Sequence, residues 1–341
     1  MVKKRQFLFI STTFSFLTGY LFGRIGFQKE DVNILVTNER LPAPVAEKFN
    51  NIERFTSKNS HLGDELCAKR SQRERLKDLR NLTPDLAVAP TISVSISGID
   101  LNYVAFNSWT VQRARTIKTK EPGTLKWIAT FNPQDTVWDI GANVGMYSIY
   151  AAKRVKSVYA FEPNNGNAFT LLANIRANNL CNINLFAIGL GESNGFFPFE
   201  YSSLHFGVAH NQIQANLNNT FSKKKKKKEK YHETEMKTVR TLDSMVAQQY
   251  VPLPDHIKLD VDGLEISILR GMRESLQSGS VKTLLVEAED HDQALEIYEF
   301  MSNMGAKLEQ IEILGSTGKK TSFDPHGIPI DVICNMVWKF I

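Results

Sequence analysis

One stretch, Thr136 to Ser148, constrains the fold of this chain more than any other. It reads Thr-Val-Trp-Asp-Ile-Gly-Ala-Asn-Val-Gly-Met-Tyr-Ser, so a short run of strand formers meets an acid and then two glycines. The residues around Asp139 predict a strand, and those after Gly145 predict the start of a helix. Glycine lets a backbone approach a ligand closely, and Asn143 is among the few other residues that tolerate a positive φ. We therefore expect the loop to contact a ligand through its backbone.

The loop lacks the signatures of phosphate-binding loops. A dinucleotide fingerprint needs glycine at the first, third and sixth positions, where this chain has Gly141, Asn143 and Met146, and a Walker loop needs a lysine that is absent here. The next apolar run ends in Glu162, about 20 residues after the glycines, a separation at which an acid can bind ribose hydroxyls. These features favour a nucleoside without phosphates, which we expect to be S-adenosylmethionine, and they disfavour an NAD-dependent enzyme.

Several further motifs follow along the same domain. They are Phe161-Glu-Pro-Asn164, Asn174-Ile175 with Asn178, Ala187-Ile-Gly189, Thr241-Leu-Asp243 and Ile257-Lys-Leu-Asp-Val-Asp-Gly-Leu-Glu265. In this order and spacing, the chain resembles the FkbM family of S-adenosylmethionine-dependent methyltransferases from about Glu121 to its C-terminus. The resemblance implies a class I methyltransferase fold and O-methylation of a hydroxyl on a sugar, glycan or related natural product.

The cofactor contacts are assigned from the motifs and from the ends of the predicted strands. The expected cofactor-binding residues are Asp139, Gly141, Ala142, Asn143, Gly145, Glu162, Asn164 and Ala187. Within this set, the glycine loop faces the methionine and ribose, Glu162 takes the ribose hydroxyls, and the region ending at Ala187 faces the adenine. A plain strand-to-helix turn and a surface acid are the alternative interpretations of the loop and of Glu162.

Two acids, Asp260 and Asp262, end a buried apolar strand at a spacing that lets both side chains share one side. Because doubly wound sheets bind ligands at such carboxyl ends, we expect Asp260 to be the catalytic residue that deprotonates or positions the acceptor. We assign no metal, although both acids with Glu265 form an alternative divalent-metal site. A further alternative is that Asp262 and Glu265 cap the next helix. The histidines that offer other bases are His205, His210, His256 and His291.

Strand and helix patterns alternate through the rest of the domain. Strands are predicted at Ser157–Phe161, Ile183–Ile188, Ile257–Val261 and Thr283–Glu287, with amphipathic helices between several of them. Ala306–Leu314 and Asp331–Phe340 are expected to supply an antiparallel C-terminal edge hairpin. The alternation predicts an α/β fold with a doubly wound, mostly parallel sheet, which for a class I methyltransferase is Rossmann-like.

The N-terminal region carries a charge-free apolar run, Phe7 to Gly23, behind Lys3, Lys4 and Arg5. Its length is at the lower edge of the roughly 17 to 25 residues that span a membrane. We expect residues 1–27 to be a retained signal anchor that makes a single-pass membrane protein, with a cleaved signal or targeting peptide as the alternative. Residues 28–90 are expected to form a polar stem and residues 91–341 the methyltransferase domain. The side of the membrane that holds this domain stays open.

The net charge of +5 is concentrated in the unbroken run Lys223 to Lys228, so no general surface for nucleic acid is implied. We expect a lysine-rich surface loop at residues 211–235, with attachment to anionic lipid or to an acidic substrate as the alternative. Cys67, Cys181 and Cys334 show no Cys-x-x-Cys spacing and are expected to be free thiols.

A second function class is a membrane-tethered protein that binds glycans or acts as a scaffold on a degenerate methyltransferase fold. Loss of Gly141, Glu162 or Asp260 would favour it, and all three residues are present. The sequence therefore favours an enzyme that uses S-adenosylmethionine. Its oligomeric state and acceptor stay open.

Overall fold

The main sheet grows outward from the strand that begins at Thr136. The structure is a computed structural model that describes residues 90–213, 234–315, 321–330 and 332–340. Within these ranges, seven strands hydrogen-bond side by side. In spatial order they are β12 (Lys307–Ile313), β13 (Cys334–Lys339), β11 (Thr283–Ala288), β10 (His256–Leu259), β3 (Thr136–Ile140), β4 (Ser157–Phe161) and β5 (Ile183–Phe186).

Five neighbouring strands, β5, β4, β3, β10 and β11, run parallel to one another. Strand β13 runs antiparallel to both of its neighbours, β11 and β12. The chain builds the sheet outward from β3 in one direction and then returns to add β10 on the other side. Open α/β sheets bind ligands outside the carboxyl ends of the strands at such a reversal. The predicted Rossmann-like sheet is confirmed, and its antiparallel edge is formed by β12 and β13.

Helices pack against both faces of this sheet. The described helices are α1 (Ser108–Lys120), α2 (Pro122–Ala129), α3 (Met146–Ala152), α4 (Asn165–Ala177), α5 (Leu242–Ala247), α6 (Glu265–Arg270), α7 (Arg273–Leu276) and α8 (His291–Asn303). Successive side chains of a strand point to opposite faces, and Val137 and Trp138 accordingly belong to different apolar clusters. The Trp138 cluster includes residues of α6 and α8, whereas the Val137 cluster includes residues of α1 to α4.

An antiparallel hairpin precedes α1. It consists of β1 (Thr91–Ile96) and β2 (Ile99–Val104), and the chain reverses at Ser97 and Gly98, which both have positive φ. β2 is fixed to α4, because the backbone N–H of Val104 donates to Asn174 Oδ1 at 2.7 Å.

A smaller sheet lies beyond β5 in the chain and was not predicted. Its strands, in spatial order, are β6 (Gly189–Leu190), β9 (Thr234–Arg240), β7 (Gly195–Glu200) and β8 (Gln212–Ile213). The predicted surface loop at 211–235 is therefore wrong at its two ends, which are strands. The lysine run between them lies outside the described residues.

The expected signal anchor at 1–27 and nearly all of the stem at 28–90 also lie outside the described residues. Among the helices that are described, none has the length and apolar character needed to cross a membrane.

The cysteines differ from the expectation of free thiols. Cys334 is free and buried, but Cys181 is disulfide-bonded. The expectation is therefore wrong for Cys181, because pairing depends on distance in the fold and not on spacing in the sequence.

Candidate active site

The loop between β3 and α3 turns at three residues with positive φ, namely Gly141, Asn143 and Gly145. A side-chain carbon on Gly141 would lie 1.9 Å from the backbone oxygen of Asp260, so glycine lets the ends of β3 and β10 approach. A carbon on Gly145 would lie 2.0 Å from the side chain of Leu171 on α4. The space beside Gly145 is thus filled by a helix, so packing requires a glycine here, and the cofactor contact of Gly145 stays a prediction.

Glu162 follows β4 and is only 5% exposed. Its Oε2 accepts the backbone N–H of Asn143 at 2.8 Å, and its Oε1 accepts that of Asn164 at 2.8 Å. A carboxylate offers about four acceptor positions, so each oxygen can take a further hydrogen bond. Burial raises the pKa of Glu162 to about 7, although both backbone bonds favour the charged form. Hydroxyl groups of a ligand would stabilise that charged form.

Asp139 lies at the end of β3 and is buried. Its Oδ2 accepts a hydrogen bond from the hydroxyl of Ser148 on α3, while its Oδ1 has no hydrogen-bond partner among the described residues. Burial raises the pKa of Asp139, and the nearby Lys258 ammonium opposes this shift. Asp139 therefore joins β3 to α3 and retains one unused buried acceptor.

Three other predicted cofactor residues, Asn164, Ala142 and Ala187, differ in their surroundings. Asn164 is the N-cap of α4, and its side chain accepts two backbone N–H groups of that helix. It therefore positions Glu162 through its own backbone N–H and not through its side chain. Ala142 is buried but lines the charged cavity, and Ala187 is exposed just after β5.

The loop between β7 and β8 is fastened to the glycine loop. The carbonyl oxygen of Val208 accepts hydrogen bonds from Asn143 Nδ2 at 3.2 Å and from Asn167 Nδ2 at 3.1 Å. Near its other end, the N–H of Asn211 donates to Asp262 Oδ2 at 3.1 Å. Side chains from three elements therefore hold this loop over the carboxyl end of the sheet.

Two cavities meet at Gly141, which lines both of them. One has mainly apolar walls. Its lining includes Phe161, Pro163, Ile188, Val261, Asp262 and Leu264. The other has polar and charged walls. Its lining includes Arg113, Lys120, Asn143, Tyr147, Lys258 and Asp260.

An ionic cluster forms the floor of this charged cavity. The ammonium of Lys258 is buried, donates to Asp260 Oδ2 at 2.5 Å and lies 5.0 Å from the ring centroid of Tyr147. Glu121 is fully buried and accepts a hydrogen bond from Lys120 Nζ at 2.6 Å. The cluster is completed by Glu287, which is hydrogen-bonded to Asp260.

These contacts decide the charge of Asp260. Burial alone would raise its pKa, but the ammonium groups of Lys258 and Lys120 and the hydrogen bond from Glu287 hold that pKa well below its ordinary value. Burial and the charge of Asp260 raise the pKa of Glu287 well above its ordinary value. These opposite shifts favour a proton on Glu287, which donates it in a hydrogen bond to the Asp260 carboxylate. Such a carboxylate is a weak base, but it can still position a hydroxyl group.

The alternative metal set of Asp260, Asp262 and Glu265 is not among the groups of possible metal ligands that the described residues form. Glu265 is buried, and its Oε1 accepts the backbone N–H of Val261 at 3.2 Å. Asp262 holds the β7–β8 loop instead. Among the described residues, carboxylate oxygens of Glu121 and Glu287 lie within 4.8 Å of one on Asp260. Lys258 already supplies positive charge to this group.

The capping interpretation of Asp262 is also wrong. Helix α6 begins at Glu265, and its N-cap is Leu264, which provides no side-chain hydrogen bond. Asp262 lies two residues before the N-cap and reaches His210, with 3.4 Å between Asp262 Oδ1 and the ring Nδ1.

The alternative histidine bases lie away from the charged cavity, which none of them lines. His256 begins β10, at the end of the strand opposite to Asp260, and its ring stacks on Phe131 with 3.8 Å between centroids. His205 is hydrogen-bonded to a serine two residues earlier, and His291 begins α8.

Residues 139–308 match the family model described as the methyltransferase FkbM domain. The chain carries an FkbM methyltransferase domain. The matched range begins at Asp139 and contains Glu162, Lys258, Asp260 and Glu287, so most of the site belongs to the family's domain. The match confirms the resemblance, the methyltransferase activity and S-adenosylmethionine as the cofactor of this FkbM domain.

The FkbM domain is similar to curated proteins and to solved structures. The hexuronic acid methyltransferase AglP of Haloferax volcanii is 25% identical over 215 residues, which cover 62% of this chain and 80% of the relative. Methyltransferase 1 of Beauveria bassiana is 23% identical over 155 residues, covering 42% of this chain and 61% of the relative. The crystal structure of an FkbM methyltransferase from Methylobacillus flagellatus is 17% identical with a TM-score of 0.37, covering 67% of this chain and 55% of that one.

The FkbM domain has groups that suit S-adenosylmethionine. Glu162 is a buried carboxylate with unused acceptor capacity, as a ribose diol requires. The apolar cavity begins at its two chain neighbours, Phe161 and Pro163, and can receive a flat base. Glu162 itself is not among the lining residues of either cavity, and its carboxylate accepts the backbone N–H groups of Asn143 and Asn164.

Proposed function

We propose that this FkbM domain transfers a methyl group from S-adenosylmethionine to a hydroxyl of a sugar or glycan. The observation that carries the proposal is the position of Gly141, at which an apolar cavity and a charged cavity meet at the carboxyl ends of β3 and β10. The relative named as a hexuronic acid methyltransferase supports a sugar acceptor.

The cofactor would lie across Gly141, with its adenine in the apolar cavity beside Phe161 and Ile188. Glu162 would accept hydrogen bonds from the ribose hydroxyls. The backbone from Gly141 to Asn143 would face the methionine part, and the acceptor would enter the charged cavity. This arrangement brings the methyl group toward Asp260.

When bound, S-adenosylmethionine supplies an electrophilic methyl group on a sulfonium sulfur. Asp260 would accept a hydrogen bond from the acceptor hydroxyl and aim an oxygen lone pair at the methyl carbon. The oxygen lone pair would form the new carbon–oxygen bond while the carbon–sulfur electron pair returned to sulfur, and the hydroxyl proton would pass along its hydrogen bond to Asp260 and from there to water. Lys258 keeps Asp260 ionised, so that its negative charge stabilises the positive charge that develops on the acceptor oxygen. Positioning of this kind lowers the barrier because the reacting atoms are already held in line.

The test uses the full-length protein. Calorimetric titration with S-adenosylmethionine, S-adenosylhomocysteine and NAD should give binding of the first two and none of NAD. Transfer of labelled methyl groups to a panel of mono- and oligosaccharides should then yield a product that carries a methyl ether. Binding without transfer to any member of the panel would favour a glycan-binding or scaffolding protein on this fold.

For the location of the protein, we propose that Phe7 to Gly23 retains it in a membrane as a single-pass anchor. The support is the charge-free apolar run behind three basic residues. Carbonate extraction of membranes from expressing cells should leave the full-length protein in the pellet. Release of the uncleaved protein into the supernatant would reject the anchor.

A further inference from the structure

One wall of the charged cavity is not used by the proposed cofactor contacts. This wall is a face of α1, formed by Arg113, Thr116, Ile117 and Lys120. Their spacing of three, four and seven residues places these side chains on one side of the helix. The wall therefore faces whatever enters beside Asp260.

The positive charges around the cavity differ in whether the protein neutralises them. Lys258 is paired with Asp260, and Lys120 is paired with Glu121 at 2.6 Å. Among the described residues, the Arg113 side chain has no acidic partner, and its hydrogen bond is the donation of Nε–H to the carbonyl oxygen of Gly207 at 2.5 Å. Arg113 is thus the cation on this wall whose charge the described part of the chain leaves unpaired.

The anchored geometry suits recognition of an anion. With Nε held by Gly207, the two terminal nitrogens of Arg113 keep their N–H groups available. A guanidinium presents parallel N–H groups that match the two oxygens of a carboxylate. A neutral sugar packed here would remove water from the guanidinium without supplying an opposite charge, and that desolvation is costly.

We propose that Arg113 binds a carboxylate of the acceptor, so that the preferred acceptor is an acidic sugar such as a uronic acid. The inference rests on the proposed function and names the substrate class of the same site. Arg113 acts on specificity, while the hydroxyl that receives the methyl group lies beside Asp260.

The experiment measures preference between two matched ligands. Full-length protein saturated with S-adenosylhomocysteine is titrated with methyl β-glucuronide and with methyl β-glucoside, which differ in one carboxylate. The unmodified protein should bind the uronide at least about tenfold more tightly, as expected for charged hydrogen bonds. Arg113→Gln should lose that preference. Arg115→Gln should retain it, because Arg115 is exposed and does not line the cavity.

Each other outcome has a defined meaning. If Arg113 only holds the β7–β8 loop through Gly207, its variant will weaken both ligands equally, and the proposal is overturned. It is also overturned if the unmodified protein shows no preference for the uronide, including binding of neither ligand. Binding of S-adenosylhomocysteine, measured first, reports separately on the proposed function. Its absence would overturn both proposals, whereas normal binding without a uronide preference would overturn this one alone.

Discussion

Glu162 follows β4 and Asp260 follows β10, the two strands that flank β3. Both carboxylates are largely buried, yet their pKa values shift in opposite directions. Burial raises the pKa of Glu162 to about 7. For Asp260, burial acts the same way, but nearby ammonium groups reverse it and lower the pKa. The two acids are similar in the sequence and different in chemistry.

The difference comes from the partners that each carboxylate meets. Glu162 accepts N–H groups from Asn143 and Asn164, which are neutral donors. Asp260 meets the buried ammonium of Lys258, whose own pKa is raised by Asp260 and Glu121 against the effect of burial. A neutral environment leaves an acid ready for the hydroxyl donors of a ligand, whereas a cationic one fixes a permanent anion.

Removing Lys258, the cation that lowers the pKa of Asp260, should erase the difference between the two acids. Its effect, measured on stability, should be the largest. Lys258→Met leaves the buried charges of Asp260 and Glu121 without their shared partner, so we expect the free energy of unfolding to fall by about 3 to 5 kcal/mol. Urea denaturation measures this change. As a control, Arg270→Met removes a cation that is 51% exposed, and it should cost about 1 kcal/mol or less. Equal losses in the two variants would show that the cluster adds nothing beyond surface pairing.

Asp260 itself should matter for turnover more than for the cofactor. Asp260→Asn removes the anion beside the acceptor, and we expect turnover to fall by about 100-fold with little change in S-adenosylmethionine affinity. Asp262→Asn loosens the β7–β8 loop and should cost less, about tenfold. Full activity of Asp260→Asn would remove this residue from the mechanism. Activity lost with chelator and restored by a divalent ion would point to a metal held by Glu121, Asp260 and Glu287.

Replacing Glu162 should show the reverse of the Asp260 result, with a loss of affinity for S-adenosylmethionine. Glu162→Gln removes a charged acceptor of the ribose hydroxyls, at a cost of about 1.5 to 3 kcal/mol, or roughly 10- to 150-fold in affinity for S-adenosylmethionine. Titration calorimetry measures it, with the exposed Glu192→Gln as the matched control. Unchanged affinity in a folded Glu162→Gln protein would contradict the ribose assignment.

The sequence predicted the main sheet well, because its buried strands are short apolar runs bounded by turn residues. It did not predict α1, whose buried residues are only Thr110, Ala114 and Ile117 among many polar ones, so no apolar stripe marks the helix. The small sheet was also missed. Its strand β7 contains Pro198, and β8 has two residues.

Residues of the candidate site were predictable where their position at the end of a strand places them in the site. Contacts between residues that are distant in the sequence were not predictable. Glu162 and Asp260 follow from their places at strand ends. Lys258 lies within an apolar strand, and a charge in such a strand needs a buried partner. The position of Lys258 in the sequence therefore indicates an ion pair in the site. The contact of Gly145 with Leu171 could not be predicted, because it joins residues that only the fold brings together.

The pH dependence of cofactor affinity should be the smallest of the effects. It tests directly whether the raised pKa of Glu162, in contrast to that of Asp260, is linked to cofactor binding. In the ligand-free protein, the pKa of Glu162 is about 7. Hydrogen bonds from ribose hydroxyls favour the charged carboxylate, so the bound protein must have a lower pKa at this residue. Above pH 7 the carboxylate is ionised in both states, and affinity should be constant.

As the pH falls below 7, the ligand-free protein gains a proton that binding must displace. Affinity for S-adenosylmethionine should therefore decrease, by up to about tenfold per pH unit, until the pKa of the bound state is reached. Calorimetry in two buffers with different ionisation enthalpies should show proton release on binding near pH 7. Glu162→Gln should lose the part of the slope and of the proton release that comes from this carboxylate, whereas Asp260→Asn should keep both, since Asp260 is ionised throughout this range. Identical slopes in the unmodified protein and Glu162→Gln would show that the acidity of Glu162 is not linked to the cofactor, and the contrast between the two acids would then have no part in binding.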